Sequence, residues 1–328
     1  MHANLEDKCK QLMENYDRMK PGNGLEYNQL LAAGAAMYVA AGKEVDAEQL
    51  KECKKLLKSR KGIFSNYRGT AEFIVRCKLA LSEDPKSYFE RLDRVYREMK
   101  TALSSEQDLL AAIVITDFVK AGEESAAVQK TKSIYKEMHK AHPWLTGKED
   151  MPFAALMAIT NKDSVSVYEE AENNFTILKE NLSATPGTRQ MISHVLALYP
   201  GHAEIKCDKI CRIAKGLKEA KHPLPKDYYM AILGTLAGSS LPAEELVGMI
   251  AEADDLLKKH KGFGGIFGIG SSVRRMLAVQ MVEAVQEKSS TADETSAGMI
   301  SSMIGSSIEV SIITLVLMYA VIASSSAA

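Results

Sequence analysis

Proline is scarce, with 9 in 328 residues, and there is a single tryptophan. Few helix breakers and no long stretch of alternating apolar and polar residues argue against a β-sandwich or barrel. No excess of either charge is present: 41 Lys+Arg face 42 Asp+Glu, a formal net charge of −1. A dedicated nucleic-acid binder needs surplus positive charge to displace counterions, so that class is not expected. The five cysteines (Cys9, Cys53, Cys77, Cys207, Cys211) are odd in number, widely spread and form no CxxC. They read as reduced, buried thiols of a cytosolic protein rather than a disulfide framework. The polar start Met1-His2-Ala3-Asn4-Leu5-Glu6-Asp7-Lys8 lacks the apolar stretch of a secretory signal. The sequons at Asn174 and Asn181 are then chance matches. A composition 46% hydrophobic and 25% charged is that of a folded globular protein and not of a disordered or polytopic membrane chain.

One compact core stops growing at about 250–300 residues, so this chain should be two domains or a repeat array. Its helical periodicity points to the array. Leu5, Cys9, Leu12, Met13, Tyr16 and Met19 recur in steps of three and four, which places them on one helix face. Pro21-Gly22-Asn23-Gly24 breaks that helix, and a more apolar one follows through Leu30, Leu31, Ala35, Met37, Tyr38 and Val39. The same pair recurs. Met19, Leu57, Met99, Met138, Leu178, Leu217 and Leu257 end successive amphipathic helices at spacings of 38, 42, 39, 40, 39 and 40 residues. A fixed period of that size marks a helical repeat whose hairpins bury their faces against neighbours.

The expected architecture is therefore all-α, a helical-hairpin repeat array of about seven pairs over residues 1–288. Apolar second helices lie inside and charged first helices outside. A linker at 289–295 and an apolar C-terminal helical segment at 296–328 follow. Periodicity does not separate an open superhelical solenoid from a closed α/α toroid; the open array is favoured. Ser82-Glu83-Asp84-Pro85 and Ser240-Leu241-Pro242 read as helix starts, and Gly147, Gly201 and Gly262 as stops.

Several phrases also resemble a known bacterial family. They are Tyr135-Lys136-Glu137-Met138 with His142-Pro143-Trp144-Leu145-Thr146, Ser193-His194-Val195-Leu196-Ala197-Leu198, Lys261-Gly262-Phe263-Gly264 and Arg274-Arg275-Met276-Leu277-Ala278. Together they are similar to the family catalogued as domain of unknown function 4003, over nearly the whole chain. The resemblance implies a bacterial, cytosolic, helical protein and carries over no catalytic residue.

Three constellations could carry chemistry. His142, Asp150 and His194 fall in successive hairpins, where stacking can bring imidazole and carboxylate together for acid–base work. With His202 and the Cys207/Cys211 pair, the histidines are also weak metal candidates. The plainer account makes His194 a core histidine, Asp150 a helix-start carboxylate and the cysteines small apolar fillers. The second constellation is Gly264, Gly265, Ser271, Arg274 and Arg275: a glycine loop, a helix start and two guanidinium groups that could hold an anion. No strand precedes it, so it is not a dinucleotide or P-loop fingerprint, and loop packing is the commoner role. The third is basic, Lys51, Lys54, Lys55, Lys58, Arg60, Lys61 and Arg68 with Phe64 and Tyr67, and it reads as a solvated helix face.

In the C-terminal segment the only charge after residue 295 is Glu309, and Val310–Ala323 is a nearly unbroken apolar run of 14 residues. That falls short of the roughly 20 needed to cross a bilayer, and no Lys or Arg flanks it. A cover for the array, a membrane tail and a self-association element are its three possible roles, in that order. The expected function is a non-catalytic scaffold for another protein or peptide, cytoplasmic and without a cofactor. The alternatives are a toroid enzyme with His142, Asp150 and His194 around a pocket, or a membrane-associated protein held through Val310–Ala323.

Overall fold

The computed structural model describes residues 3–21, 27–59, 69–100, 105–265, 268–286 and 316. Among them there is no strand. The helices come in pairs: α1 (Ala3–Met19) with α2 (Asn28–Ala40), α3 (Ala47–Ser59) with α4 (Gly69–Leu81), and α5 (Pro85–Met99) with α6 (Glu106–Phe118). Then come α7 (Glu124–Ala141) with α8 (Met151–Ala158), and α9 (Ser164–Asn181) with α10 (Pro186–Leu196). Next, α11 (Ala203–Glu219) pairs with a 3-10 helix (Tyr228–Gly238), and α12 (Ala243–Lys258) with α13 (Ser271–Val285). The linker at 289–295 and the segment at 296–328 lie outside the described residues except for Val316, as do Arg60, Lys61, Phe64, Tyr67 and Arg68.

The two helices of a pair differ in kind. In α5, the Asp84 carboxylate accepts from the backbone N–H of Lys86 (2.9 Å) and Ser87 (3.1 Å), and Pro85 opens the first turn. Phe89, Leu92, Val95, Tyr96 and Met99 then bury one stripe. In α6, Ser105 and Asp108 form a reciprocal capping box, and every residue from Asp108 to Thr116 is buried. A helix apolar all round has no solvent face, so it must be surrounded.

It is surrounded by a ring. Around the inside, α2, α4, α6, α8, α10, the 3-10 helix and α13 each pack on the next, and α13 returns to α2. Outside, α12 packs on α1, joining the last hairpin to the first. Of the two arrangements the sequence left open, the closed toroid is the one that forms, and the favoured open array gives way to it. A turn of about 50° per hairpin brings the seventh pair back to the first. At the seam the Tyr16 ring meets Phe263 edge-on at 4.9 Å between centroids. His260 donates from Nε2 to Asp17 Oδ2 at 2.9 Å, while its Nδ1 accepts from the Gly262 N–H at 3.1 Å. Gly262 allows this contact, since a Cβ there would lie 2.2 Å from the Tyr16 ring.

Two local expectations change. The sixth inner helix is 3-10, narrower than an α-helix. Gly238 seats it: a Cβ there would stand 2.7 Å from the Tyr199 ring. At α13 the helix starts at Ser271, but the N-cap position before it falls to Gly270, which at φ +83° turns the chain in a way that favours glycine.

The ends of the inner helices are stitched by donors from the outer layer. Arg91 reaches the Val119 carbonyl, Lys130 the Thr160 carbonyl (2.7 Å) and Lys209 the Ser239 carbonyl. Buried Lys206 spends all three ammonium hydrogens, on Glu170 Oε1 (2.5 Å) and the carbonyls of Leu196 and Tyr199 (2.9 Å each).

Closure makes the seam part of the whole fold. Phe263→Ala should cost about 3–5 kcal/mol, and hydrogen exchange should quicken in α1 as well as in α12 and α13. Faster exchange confined to residues 243–286 would contradict a closed ring.

Candidate functional site

The chain between α7 and α8 holds the first of the histidines and the lone tryptophan. α7 ends as the His142 N–H bonds the Met138 carbonyl (2.9 Å). A tight turn follows, with the N–H groups of Leu145 and Thr146 both on the His142 carbonyl (3.0 and 2.9 Å). The Thr146 hydroxyl donates to the Met138 carbonyl (3.1 Å) and accepts from Gln190 Nε2 of α10 (3.2 Å). The His142 ring bonds Glu172 Oε2 of α9 at 2.8 Å and lies 5.2 Å from the Phe175 ring. This turn, fixed from three sides, carries Trp144 with 97% of its surface in solvent. Tyr27, on the equivalent loop between α1 and α2, is the other strongly exposed aromatic side chain among the described residues.

Asp150 closes the short helical turn Lys148–Asp150 that leads into α8, and its Oδ2 accepts from the Gly147 N–H (2.9 Å). His194, on α10, faces it: Nδ1 to Oδ1 is 3.9 Å, too long for a hydrogen bond, and Nδ1 has no partner. Both residues are only 2% exposed. Burial pushes the Asp150 carboxyl up to about 7, against the pull of the Gly147 bond. Burial also pushes His194 down to about 3, with the nearby His142 adding to it. Between about pH 4 and 6.5 the pair is therefore a neutral acid beside a neutral base and not an ion pair. Of the three residues proposed for a pocket, two meet and the third turns to Glu172.

The other candidates lie apart. His202 is exposed at the start of α11. Cys207 is buried with its thiol toward the Asn174 carbonyl (3.7 Å), and burial pushes it up to about 12. Asn174 itself is buried, so its sequon has no accessible amide. Among the described residues no three His, Cys, Asp or Glu side chains gather as a cation site.

At the glycine loop, Arg274 donates from Nε to Asp254 Oδ1 (2.6 Å) and from Nη1 to the Phe263 carbonyl (3.1 Å). Arg275 donates to Asp254 Oδ2 (3.2 Å) and the Pro223 carbonyl (2.6 Å), and His222 Nδ1 adds a bond to Asp254 at 2.8 Å. Burial works against the Asp254 carboxylate, but Arg274, His222 and Arg275 together hold it below the usual range. Gly264 is a close-packing position, where a Cβ would lie 2.2 Å from the Lys258 carbonyl oxygen. The guanidinium groups gather a carboxylate of the chain itself.

The family described as Protein of unknown function (DUF4003) matches residues 15–309. The chain belongs to that family. A similar protein is the "Uncharacterized protein YeaA" of Bacillus subtilis (strain 168), 24% identical over 202 residues, 59% of this chain and 61% of that protein. The aligned part thus spans about three fifths of that relative's length. No solved structure matches.

For this family member, sequence reasoning missed Glu172, Gln190, Asp254 with His222, and the exposure of Trp144. Only the last left a signal: a lone indole directly after proline, in a turn.

The Asp150–His194 pair gives a pH test. Between about pH 4 and 6.5 the unfolded pair holds one proton, on the imidazole. The folded pair also holds one, on the carboxyl, so the pair adds no slope there. In Asp150→Asn only His194 remains, folded-state pKa lowered, and stability should fall as pH drops from 6.5. In His194→Gln only Asp150 remains, folded-state pKa raised, and stability should fall as pH rises from 4 to 7. Thermal melts across this range check both; parallel profiles for the two variants would refute the neutral pair.

Proposed function

We infer that the ring is a non-catalytic binding module that holds another protein or a peptide at the Trp144 turn. The observation carrying this is an indole left in water on a backbone already fixed by hydrogen bonds to α7 and α10. Tryptophan is among the commonest anchors of protein interfaces, and a turn that is rigid beforehand loses little entropy on binding. The partner side would be an apolar pocket rimmed by polar groups, able to reach the indole N–H. Tyr27 on the equivalent loop supports a contact spread along one rim of the ring.

The acid–base alternative has one observation in its favour, the 3.9 Å approach of His194 to Asp150. Against it, both side chains are walled in and neutral, where a substrate would have to displace the core to reach them. Cytoplasmic residence fits this reading, since the described cysteines are free thiols, four of them buried. No helix among the described residues is long and apolar enough to cross a membrane.

A photo-crosslinking residue in place of exposed Ala141, beside the intact Trp144, should in cells give adducts with one protein, absent when the probe sits at exposed Lys215. Binding of that purified protein should weaken roughly thirty- to thousandfold in Trp144→Ala, a loss of about 2–4 kcal/mol, with an unchanged melting temperature. Equal labelling from both positions, or unchanged affinity, would defeat the proposal.

A further inference from the structure

Each outer helix packs on an inner helix that returns antiparallel before the next hairpin begins. All the outer helices therefore start on one face of the ring and end on the other. Their ends repeat one residue. Lys20, Lys58, Lys100, Lys179, Lys218 and Lys258 each directly follow the buried Met or Leu that closes the apolar stripe, and all six are exposed. The starts of the same six helices repeat the opposite sign, with Glu6, Glu48, Asp84, Asp163, Glu204 and Glu245 exposed in the first turn or at the cap. Further exposed charges lean the same way. At the ends, Lys140, Lys221, Lys259 and Lys261 outnumber Asp17, Glu180 and Glu219. At the starts, Glu44, Asp46, Glu83, Glu123 and Glu244 outnumber Lys43, Lys86 and Lys120. Helix dipoles place each sign where it is stable. The consequence is a chain nearly neutral as a whole, at −1, whose ring has one basic and one acidic face.

The exposed large apolar side chains divide between the same two faces. Tyr27 and Trp144 stand on loops of the basic face. Val165 and Ile205, 58% and 68% exposed, sit in the first turns of α9 and α11 on the acidic face. α9 packs on α11, so the two belong to neighbouring helices, and Asp163 and Glu204 lie beside them in the sequence. Apolar side chains bordered by carboxylates are what an exposed indole needs, a dry contact for the ring and an acceptor for its N–H.

We propose that the partner held at the Trp144 turn is a second copy of this chain, docked by its acidic face, so that rings stack head to tail. This names the partner in the binding reading and rests on that reading. Unlike faces meet in such a contact, and each pair keeps one free face of either sign for the next copy. Joining two like faces would set lysines against lysines or carboxylates against carboxylates. An anionic bilayer fits the basic face alone and leaves Val165 and Ile205 in water.

Sedimentation velocity of the purified full chain tests it. At about 50 mM salt, where exposed charges interact over more than about 10 Å, species larger than the monomer should grow between about 1 and 100 μM. About 0.5 M salt should return them to monomer. Trp144→Ala disables the basic face and Ile205→Glu the acidic one. Each alone should weaken stacking roughly tenfold or more, with an unchanged melting temperature. Mixed together, the two variants should form pairs and nothing larger, joined through the one sound face that each retains. Association that Ile205→Glu leaves untouched means that like faces meet, and it overturns the proposal. So does a monomer at every concentration in low salt, and one that then sediments with phosphatidylglycerol vesicles assigns the basic face to a membrane. The cellular adducts from position 141 separate this failure from that of the binding reading. Adducts with this chain itself are expected; adducts with a different protein overturn the stack and leave the Trp144 contact standing.

Discussion

A helix that is apolar on every side can be stable in water only if something covers every side. Four of the inner helices come close to this, α2, α6, α8 and the 3-10 helix, and α4, α10 and α13 are buried over most of their length although they carry polar or charged side chains such as Arg76, Gln190 and Arg274. Stacking hairpins in a row covers three sides of each inner helix and leaves the two end hairpins bare. Bending the row until α13 meets α2 removes both bare ends at once. The closed ring follows from the composition of the second helices rather than from any single contact. The seam of Tyr16, Phe263 and Gly262 is where that general pressure becomes a specific fit.

The polar chemistry obeys the same repeat. Arg91, Lys130 and Lys209 occupy corresponding places in their outer helices, about one or two periods apart, and each donates to the carbonyl that ends the inner helix of its own hairpin. Those carbonyls lack helical partners, and a cation there also meets the negative end of the helix dipole. In the fifth hairpin Glu170 stands at this register position, and the cation comes from elsewhere. Lys162 and Lys206 both pair with Glu170 and reach the end of α10 instead. The charged layer that looks like mere solvation in the sequence is also a set of caps.

Much of this was legible in the sequence. The period of about 40 residues, the amphipathic first helices and the apolar second ones follow directly from the spacing of residues such as Met99, Met138 and Leu178. Closure was not, because it depends on the small rotation between hairpins, set by how side chains interlock and not by their period. Gly262 reads as a helix stop in sequence, and nothing there says that Tyr16, almost 250 residues earlier, lies against it. At the candidate site, stacking was enough to bring Asp150 to His194. It could not foretell that Glu172, one helix away, would take His142 instead. The glycine loop with Arg274 and Arg275 looked like an anion cradle because the sequence does not reveal that Asp254 is the anion.

The dryness that stabilises the ring also limits its chemistry. General acid–base work needs groups whose charge can change as a substrate approaches, near water or near a substrate that replaces it. Beside α8 the interior works the other way: burial raises the Asp150 carboxyl and lowers the His194 imidazole, so that in mildly acidic solution neither group is charged. At Lys206 and Asp254 the charge inside is answered by several partners each. Recognition is then best placed where the fold still meets solvent with something to lose by it, and among the described residues the barest apolar side chain is Trp144, on a backbone that three neighbouring helices hold still.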